Sequence, residues 1–290
     1  MVSGLRSHGF LKPWGKRSPS FALSCTLAGA IGFYGVAASA EESAARWTFE
    51  VGGYAFVPIS IDGTSTVDGG AVDLDLGPSD IFDLLEFALA GRFEAWRAAP
   101  TADGSGMGFI LDATYVDLGL DESSIGPGGA GDVDADIRQG IVDFMIAYRF
   151  PHFKSNAPSL RYTEIDLMAG ARYNYLKQEI DVTPGLPVPF TANLGGDRDW
   201  VSPVIGARAN WVFNEKWNAV LRGDMSGFGV SGEDLSWSIT ALAGYKIGEQ
   251  TTLRFGYRVY DIDYSDGSGA DEFALDVRQH GPFIGLSYRF

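Results

Sequence analysis

Apolar and polar side chains alternate along most of the chain after residue 46. Successive side chains of a β-strand point to opposite faces, so each alternating stretch has one apolar and one polar face. Clusters of Gly, Asp, Pro and Ser separate the stretches. Ten strands are predicted: Trp47 to Val57, Glu86 to Arg97, Gly106 to Leu118, Ile137 to Phe150, Arg161 to Gln178, Trp200 to Phe213, Lys216 to Ser226, Ser236 to Ile247, Thr251 to Asp263, and a tenth from near Phe273 to Phe290.

The connections between these segments differ in length in a regular way. Long acidic, Gly-rich loops are predicted after the first, third and fifth strands, and shorter links after the second, fourth, sixth and eighth. This arrangement is typical of membrane barrels, which have short turns at the periplasmic end and longer loops outside. The predicted long loops are 59–85, 119–136 and 179–199, and the short links are 98–105, 151–160, 214–215 and 248–250.

The apolar faces decide between a membrane and a soluble fold. They carry Trp, Tyr and Phe near the strand ends and Leu, Val, Ala and Ile between, as lipid-facing strands with aromatic girdles do. After residue 40, no stretch approaches the roughly 20 apolar residues of a spanning helix. We therefore predict an all-β, closed antiparallel transmembrane barrel of about ten strands, with eight or twelve as alternative counts. A soluble β-sandwich or lipocalin-like barrel, with its apolar face inward, is the alternative fold.

Two places break the alternation. Pro78 to Phe87 predicts a short helix in the first outside loop, with Ser79 as its N-cap. Such a helix could pack over the barrel lip or enter the lumen as a partial plug, or the segment could be the start of a strand. Trp96 shares its parity with Arg92 and Glu94, so the second strand is expected to end or bulge there.

Residues 1–40 have the features of a secretory signal peptide. Four basic residues precede an apolar stretch from Phe21 to Val36, and Ala38-Ser39-Ala40 is a small-residue cleavage site. A membrane anchor would need a longer apolar run, and Cys25 lacks the flanking residues of a lipoprotein site. The predicted domains are thus the signal peptide, 1–40, and the barrel, 41–290.

Cleavage changes the charge and the thiol content of the chain. Residues 1–40 hold four basic and no acidic residues, so the net charge falls from −15 to −19. Nucleic acid is therefore excluded as a partner, because its binding depends on cationic contacts to phosphate. The single cysteine is removed, so no disulfide is expected in the mature protein.

The polar parity of the strands predicts which charged side chains face the lumen. Acidic residues are concentrated in the first five strands and arginines in the fifth to ninth, so an acidic wall should face a basic wall. The charges either pair across a filled lumen or create a transverse field in a narrow pore. The predicted lumen charges are Glu50, Glu94, Asp112, Asp143, Glu164, Asp166 and Asp224, with Arg92, Arg172, Arg208, Arg222, Arg254 and Arg258.

Other chemistry has weak support in the sequence. His152 and His280 adjoin no serine or acid in an arrangement typical of hydrolases, so catalysis and cofactors are not expected. Asp261, Asp263 and Glu272 nearly fit the spacing of a calcium loop, but Asp266 occupies the position of the required glycine. This segment is expected to be a solvated acidic hairpin, with weak divalent binding as the alternative.

The last ten residues, G-P-F-I-G-L-S-Y-R-F, resemble the C-terminal signal of bacterial outer-membrane β-barrels, Gly-x-x-aromatic-x-aromatic. Gly285, Tyr288 and Phe290 match it, whereas Phe283 stands where the family usually has a polar residue. The pattern W-x-F-x-x-G-x-Y from Trp47 and the S-D-I-F-D from Ser79 are similar to a group of proteobacterial barrel proteins without an established activity.

The resemblance implies a Gram-negative outer-membrane location and contact with the barrel-assembly machinery, membrane lipid and lipopolysaccharide. A monomer is expected. The expected role is a non-catalytic structural barrel or narrow pore. Binding or adhesion by the outside loops is the alternative, and a lipid- or peptide-modifying enzyme is a weaker one.

Overall fold

A computed structural model describes residues 47–99, 101, 103–125, 131–154, 157, 159–184 and 192–290. The predicted signal peptide lies outside these residues. In chain order the elements are β1 (Trp47–Phe56), β2 (Ser60–Val67), β3 (Gly70–Leu76), α1 (Pro78–Leu84), β4 (Leu85–Ala98), β5 (Gly106–Ile125), β6 (Gly131–Arg149), β7 (Phe153–Lys154), β8 (Tyr162–Pro184), β9 (Ala192–Val212), β10 (Trp217–Val230), β11 (Glu233–Lys246), β12 (Thr251–Asp266), a 3-10 helix (Gly269–Asp271) and β13 (Phe273–Arg289).

Ten of these strands form a closed antiparallel barrel, as the alternation predicts. Their order is β1-β4-β5-β6-β8-β9-β10-β11-β12-β13, and β13 pairs with β1 to close the sheet. Closure matters because it leaves no unpaired edge in the section where the backbone would meet lipid. No helix in the described part of the chain is long and apolar enough to span a membrane.

The outward face of the barrel is apolar over most of its circumference. On β5, Phe109 and Leu111 are exposed, while the alternate residues Ile110 and Asp112 are buried in the interior. The same alternation exposes Phe144 and Ile146 on β6. A water-soluble monomer seldom exposes an apolar surface this extensive, so the chain is a membrane barrel rather than a soluble β-domain.

The predicted long loops are instead mostly ordered strand. β5 and β6 are paired out to Ile125 and Gly131, and β8 and β9 out to Val182 and Ala192, which corrects the loops at 119–136 and 179–199. The backbone hydrogen bonds of a hairpin can continue beyond the membrane, even where acidic and glycine residues weaken the apolar alternation.

The predicted loop at 59–85 is a hairpin followed by a helix. β2 pairs with the outer half of β13, and β3 pairs with β2. Asp68 and Gly69 form the turn with φ of 49° and 73°, which is the left-handed geometry favoured by Asp-Gly in two-residue hairpins. The sequence therefore contained a hairpin signal that the acidic composition obscured.

The predicted helix is present but begins earlier than Ser79 suggested. Gly77 is the N-cap and Pro78 the first helical residue, and the Gly77 N–H donates to Asp80 Oδ2 at 2.8 Å. Proline suits this position because the first helical residue needs no N–H. Ile81 is fully buried, Leu84 is partly buried against the same hydrophobic cluster and Phe82 is exposed, so α1 packs over the barrel rim through Ile81 and Leu84.

Candidate functional site

The thirteen charged side chains predicted for the lumen all lie inside the barrel, where they form contacts between strands that are distant in sequence. The middle of the lumen is crossed by Arg172 and Arg222. Arg172 binds Asp143 through two hydrogen bonds of 2.6 and 3.0 Å and reaches Asp224 Oδ1 at 2.7 Å. Arg222 Nη1 lies 3.1 Å from Asp112 Oδ2, so β10 is joined to the opposite wall.

Both arginines share their carboxylates, which makes this layer continuous. Arg222 Nη2 lies 3.2 Å from Asp143 Oδ2, and its Nε lies 3.0 Å from Asp224 Oδ2 without the alignment of a hydrogen bond. All five side chains are at most 7% exposed. Buried charges persist when they are paired and hydrogen-bonded, and this layer meets that condition.

A second layer lies nearer the end with the short turns. Arg208 on β9 binds Glu94 on β4 across the lumen, and it also lies 2.8 Å from Asp166 on β8. Arg149 on β6 lies 2.7 Å from Asp166. Arg149 has the lumen parity of Asp143, six residues earlier on the same predicted strand, so the alternation could have identified it.

Trp96 belongs to this layer, which corrects the expected end or bulge in its strand. β4 continues through it to Ala98 in regular register with β5. Its indole Nε1–H donates to Glu94 Oε2 at 2.8 Å, and the Arg149 guanidinium lies 4.1 Å from the ring centroid. A tryptophan on the polar parity is therefore accommodated by an acceptor and a cation inside the barrel.

The remaining predicted lumen charges lie at the short-turn end of the barrel, between the two layers, or beside a group of aromatic rings. Glu50 pairs with Arg254 and with Arg289 at the short-turn end. Arg92 joins Glu94 and Asp112, and Glu164 accepts from Asn210 at 2.7 Å. Arg258 forms no ion pair within the described residues; it donates to Thr240 at 3.1 Å and lies near the rings of Tyr54, Phe56 and Phe283.

Glu233 is a lumen residue that the sequence pattern did not indicate. The residue is 1% exposed, and its carboxylate accepts hydrogen bonds from Trp200 at 2.6 Å, Ser202 at 2.7 Å, Asn174 at 3.2 Å and Ser226 at 2.6 Å. The register between β11 and β12 shifts after Glu233, so an extra residue on β11 reverses the parity. Strict alternation would have placed this side chain outside.

Beyond Glu233, the outer half of the lumen is mainly apolar. Buried side chains from the barrel walls, β2 and α1 form one hydrophobic cluster, and Trp200 stacks on Tyr264 with ring centroids 3.8 Å apart. Ser65 on β2 reaches Gln178 on β8 at 2.8 Å, so the hairpin contacts the far wall. The cluster contains Ile61, Val67, Ile81, Val116, Leu118, Leu176, Trp200, Tyr260, Ile262, Tyr264, Phe273, Leu275 and Val277.

The opposite end of the lumen is an open polar vestibule of about 350 Å³. His152 lies at its edge, stacked on Tyr162 with centroids 4.5 Å apart and with Nε2 3.2 Å from Glu164 Oε1. In the turn beside it, hydrogen bonds from Ser105 hold the pKa of Asp103 below its usual value. His280 lies on the other side of the wall, where its Nδ1 contacts the Tyr257 hydroxyl.

The weak metal candidate has no support from the described residues. Asp261 is paired with Arg278 at 2.7 Å, and no group of three His, Cys, Asp or Glu side chains in the described ranges could hold a metal ion. Asp263 lies opposite Asp276 on β13, and Glu272 lies beyond the intervening 3-10 helix. A carboxylate already paired with a guanidinium is a poor ligand for calcium.

The three residues that match the C-terminal signal lie where the barrel closes. Gly285 is paired with Tyr54 on β1, and a Cβ at this glycine would lie 2.6 Å from the Tyr54 Cβ. Tyr288 and Phe290 point outward and are 44% and 56% exposed. The backbone of Phe290 exchanges two 2.9 Å hydrogen bonds with Phe49. The end of the chain thus forms the seam of the barrel.

Comparisons with known proteins add little to this geometry. No protein-family model matches the sequence, and no curated protein matches it. Among solved structures, the chain aligns with the outer membrane protease OmpT from Escherichia coli at 12% identity, covering 84% of this chain and 96% of that chain, with a TM-score of 0.45.

Two further alignments are of the same kind. The translocator domain of the autotransporter NalP from Neisseria meningitidis aligns at 12% identity over 84% of this chain and 86% of that chain, with a TM-score of 0.40. Ail, the attachment invasion locus protein of Yersinia pestis, aligns at 12% identity over 84% and 98%, with a TM-score of 0.32. At these TM-scores the alignments assign neither family nor function.

Proposed function

We propose that the chain is a non-catalytic structural barrel of the outer membrane whose lumen is closed to solutes. The observation that carries this proposal is the pair of obstructions in series. The Arg172–Arg222 layer bridges the lumen in its middle, and the outer hydrophobic cluster occupies the half beyond it. A solute would have to separate paired charges and then displace packed aromatic side chains.

The alternative of a narrow pore requires water between the charged walls. The opposed charges are instead in direct contact, at 2.6–3.2 Å throughout the middle layer. A field that stabilises permeating ions exists only where the fixed charges remain solvated and uncompensated. The contacts therefore favour structural pairing over conduction.

The proposed outer-membrane location is supported by the C-terminal resemblance, the predicted signal peptide and the apolar outer face. The expected partners are outer-membrane lipid, lipopolysaccharide and the assembly machinery that inserts the barrel, and the expected state is a monomer. A non-catalytic role is part of this proposal. His152 is held by Glu164 and Tyr162, and His280 contacts Tyr257 on the outer surface.

Planar-bilayer recording tests the closed lumen. Refolded protein should insert without producing conductance steps at either polarity. Insertion must be shown separately. The same refolded protein is placed in lipid vesicles, recovered from them, and tested for the heat-dependent shift in electrophoretic mobility that folded barrels give. Regular single-channel steps from the wild-type protein would contradict the proposal.

A second candidate, binding at the outer surface, is favoured by the unequal strand lengths. β5, β6, β8 and β9 contain 20, 19, 23 and 21 residues, whereas β10 and β11 contain 14 each. A strand needs about 9–11 residues to cross the bilayer, so these four strands project well beyond the bilayer on one side. Protease added to intact cells should cleave the long β5–β6 hairpin and leave the short turn near Asp103 intact; the reverse pattern would place the long hairpins inside.

A further inference from the structure

The barrel wall is interrupted at its outer end, between β3 and β5. β4 pairs with β5 only as far as Leu118, and β5 then continues to Ile125 with β6 as its described partner. β3 pairs with β2 and with no other described strand. Both strands therefore present an edge without ladder hydrogen bonds, and α1 contacts each of them at this break.

β3 is anchored from inside, while its other edge has no partner among the described strands. Leu74 and Leu76 pack against the outer hydrophobic cluster, whereas Asp73 and Asp75 are exposed. The residues that flank a two-residue turn form a hydrogen-bonded pair, and such pairs then alternate along the ladder. Counting from Val67 and Gly70, the backbone N–H and C=O groups of Ala71, Asp73 and Asp75 point away from β2.

The surroundings of this edge are strongly acidic. Asp73, Asp75, Asp80, Asp83 and Glu86 are all exposed, and none of them forms an ion pair within the described residues. Two copies of the chain meeting at this edge would bring like charges directly opposite one another, which destabilises strand pairing. The occupant that fits both the hydrogen-bonding edge and its charge is an extended basic segment.

We propose that the free edge of β3 binds an extended, lysine- or arginine-rich peptide segment by strand addition. The segment's backbone would pair with Ala71, Asp73 and Asp75, and its cationic side chains would lie over the two aspartates. This inference rests on the surface-binding candidate above and specifies its partner. Charged residues also protect an edge strand from aggregation. The experiment must therefore distinguish peptide binding from a purely protective role of these acids.

The test uses the full-length protein refolded in detergent and a fluorescent ten-residue peptide that alternates lysine with threonine. Saturable binding at low ionic strength is expected by fluorescence anisotropy, with no binding of the matched glutamate–threonine peptide. The absence of saturable binding of the lysine peptide would overturn the proposal, because the acids would then serve only to protect the edge.

Backbone pairing is tested with two N-methylated versions of the lysine peptide. Alternate residues of an added strand direct their N–H groups toward β3, so methylation of the lysines or of the threonines, but not both, should weaken binding about tenfold. Antiparallel addition weakens the N-methyl-lysine version and parallel addition the N-methyl-threonine version. Equal affinities for the two versions would contradict strand addition.

Variants of the protein test the position. Asp73→Asn combined with Asp75→Asn should weaken binding about tenfold, because two exposed ion pairs are removed. The matched control is Asp276→Asn, an exposed acid on β13 separated from β3 by β2, which should change the affinity less than about twofold. Equal effects of the two substitutions would refute the site. The protease experiment on intact cells separately tests the orientation on which surface binding depends.

Discussion

Arg208 on β9 forms a two-pronged hydrogen-bonded ion pair with Glu94 on β4, across the lumen and 114 residues apart in sequence. Nη1 donates to Oε1 at 2.7 Å and Nη2 to Oε2 at 3.0 Å. The same guanidinium also donates to Asp166 through Nε at 2.9 Å. One side chain thus ties three strands together inside the barrel.

Replacement of this arginine should destabilise the barrel more than loss of a surface ion pair. Arg208→Ala leaves two buried carboxylates each without one of their cations, and removing one partner of a buried pair costs about 3 kcal/mol. Urea unfolding in lipid vesicles, followed by tryptophan fluorescence, measures the change. We expect the unfolding midpoint to fall clearly.

The matched control is Arg161→Ala. Arg161 lies 3.9 Å from Glu215, with the two side chains 55% and 89% exposed. Exposed pairs of this kind contribute about 0.5 kcal/mol or less. Comparable effects of the two substitutions would show that the cross-lumen pair is not a structural tie.

Alternation was sufficient to place the lumen charges but not to pair them. The inward and outward faces follow from the twofold period of a strand, which is a local property of the backbone. The partner of Arg208 depends on barrel closure and on strand stagger, which relate residues more than a hundred positions apart. The sequence therefore predicted opposed acidic and basic walls, while the particular contact to Glu94 required the structure.

Glu233 and the outer hairpins show where a periodic pattern fails. A bulge adds one residue to β11 and reverses the parity of every position before it, and single-sequence alternation carries no mark of such a shift. The β2–β3 hairpin was missed for a different reason. Its Asp-Gly turn is visible in the sequence, but the acidic residues on the outer face give the two strands a composition typical of a loop.

Glu233→Ala should disturb the middle of the lumen through the donors that it leaves behind. Trp200, Ser202, Asn174 and Ser226 would each lose an acceptor, and unsatisfied buried donors cost about 1–3 kcal/mol each before the site relaxes. Trp200 also stacks on Tyr264, so its near-ultraviolet circular dichroism should weaken.

The adjacent exposed residue provides the control for this prediction. Asp234 is solvent-facing on the same hairpin, and Asp234→Ala should leave both the spectrum and the unfolding midpoint close to wild type. An unchanged aromatic signal in Glu233→Ala would mean that the carboxylate does not organise these side chains.

The pairing of β1 with β13 should be sensitive to substitution of one glycine and insensitive to substitution of another. Gly285→Ala introduces a Cβ 2.6 Å from the Tyr54 Cβ and 2.8 Å from the Gly53 carbonyl oxygen. Overpacking of this kind costs about 2 kcal/mol and here acts on the β1–β13 pairing. The folded fraction, measured by the heat-dependent electrophoretic shift after refolding, should fall.

Gly53→Ala is the matched substitution on the neighbouring strand. A Cβ added at Gly53 meets no atom within 4 Å, so refolding should proceed as in the wild type. If Gly285→Ala refolded as efficiently as Gly53→Ala, the close approach of Tyr54 would not be a constraint on closure.

Phe290 offers a test that separates assembly in the cell from stability in vitro. Its ring is 56% exposed and stacks on Phe49 with centroids 5.6 Å apart, while its backbone bonds to Phe49 persist with any side chain. Phe290→Ser should therefore lower the unfolding free energy by only about 1–2 kcal/mol, the value of its exposed ring contacts to Phe49 and Tyr288. If the C-terminal resemblance reflects an assembly signal, the amount of folded protein in outer-membrane fractions should fall several-fold.

Phe153→Ser is the control, since Phe153 is 54% exposed at the short-turn end and lies outside the signal. Equal losses for both variants in membrane fractions would assign the effect to surface hydrophobicity rather than to recognition of the C-terminus.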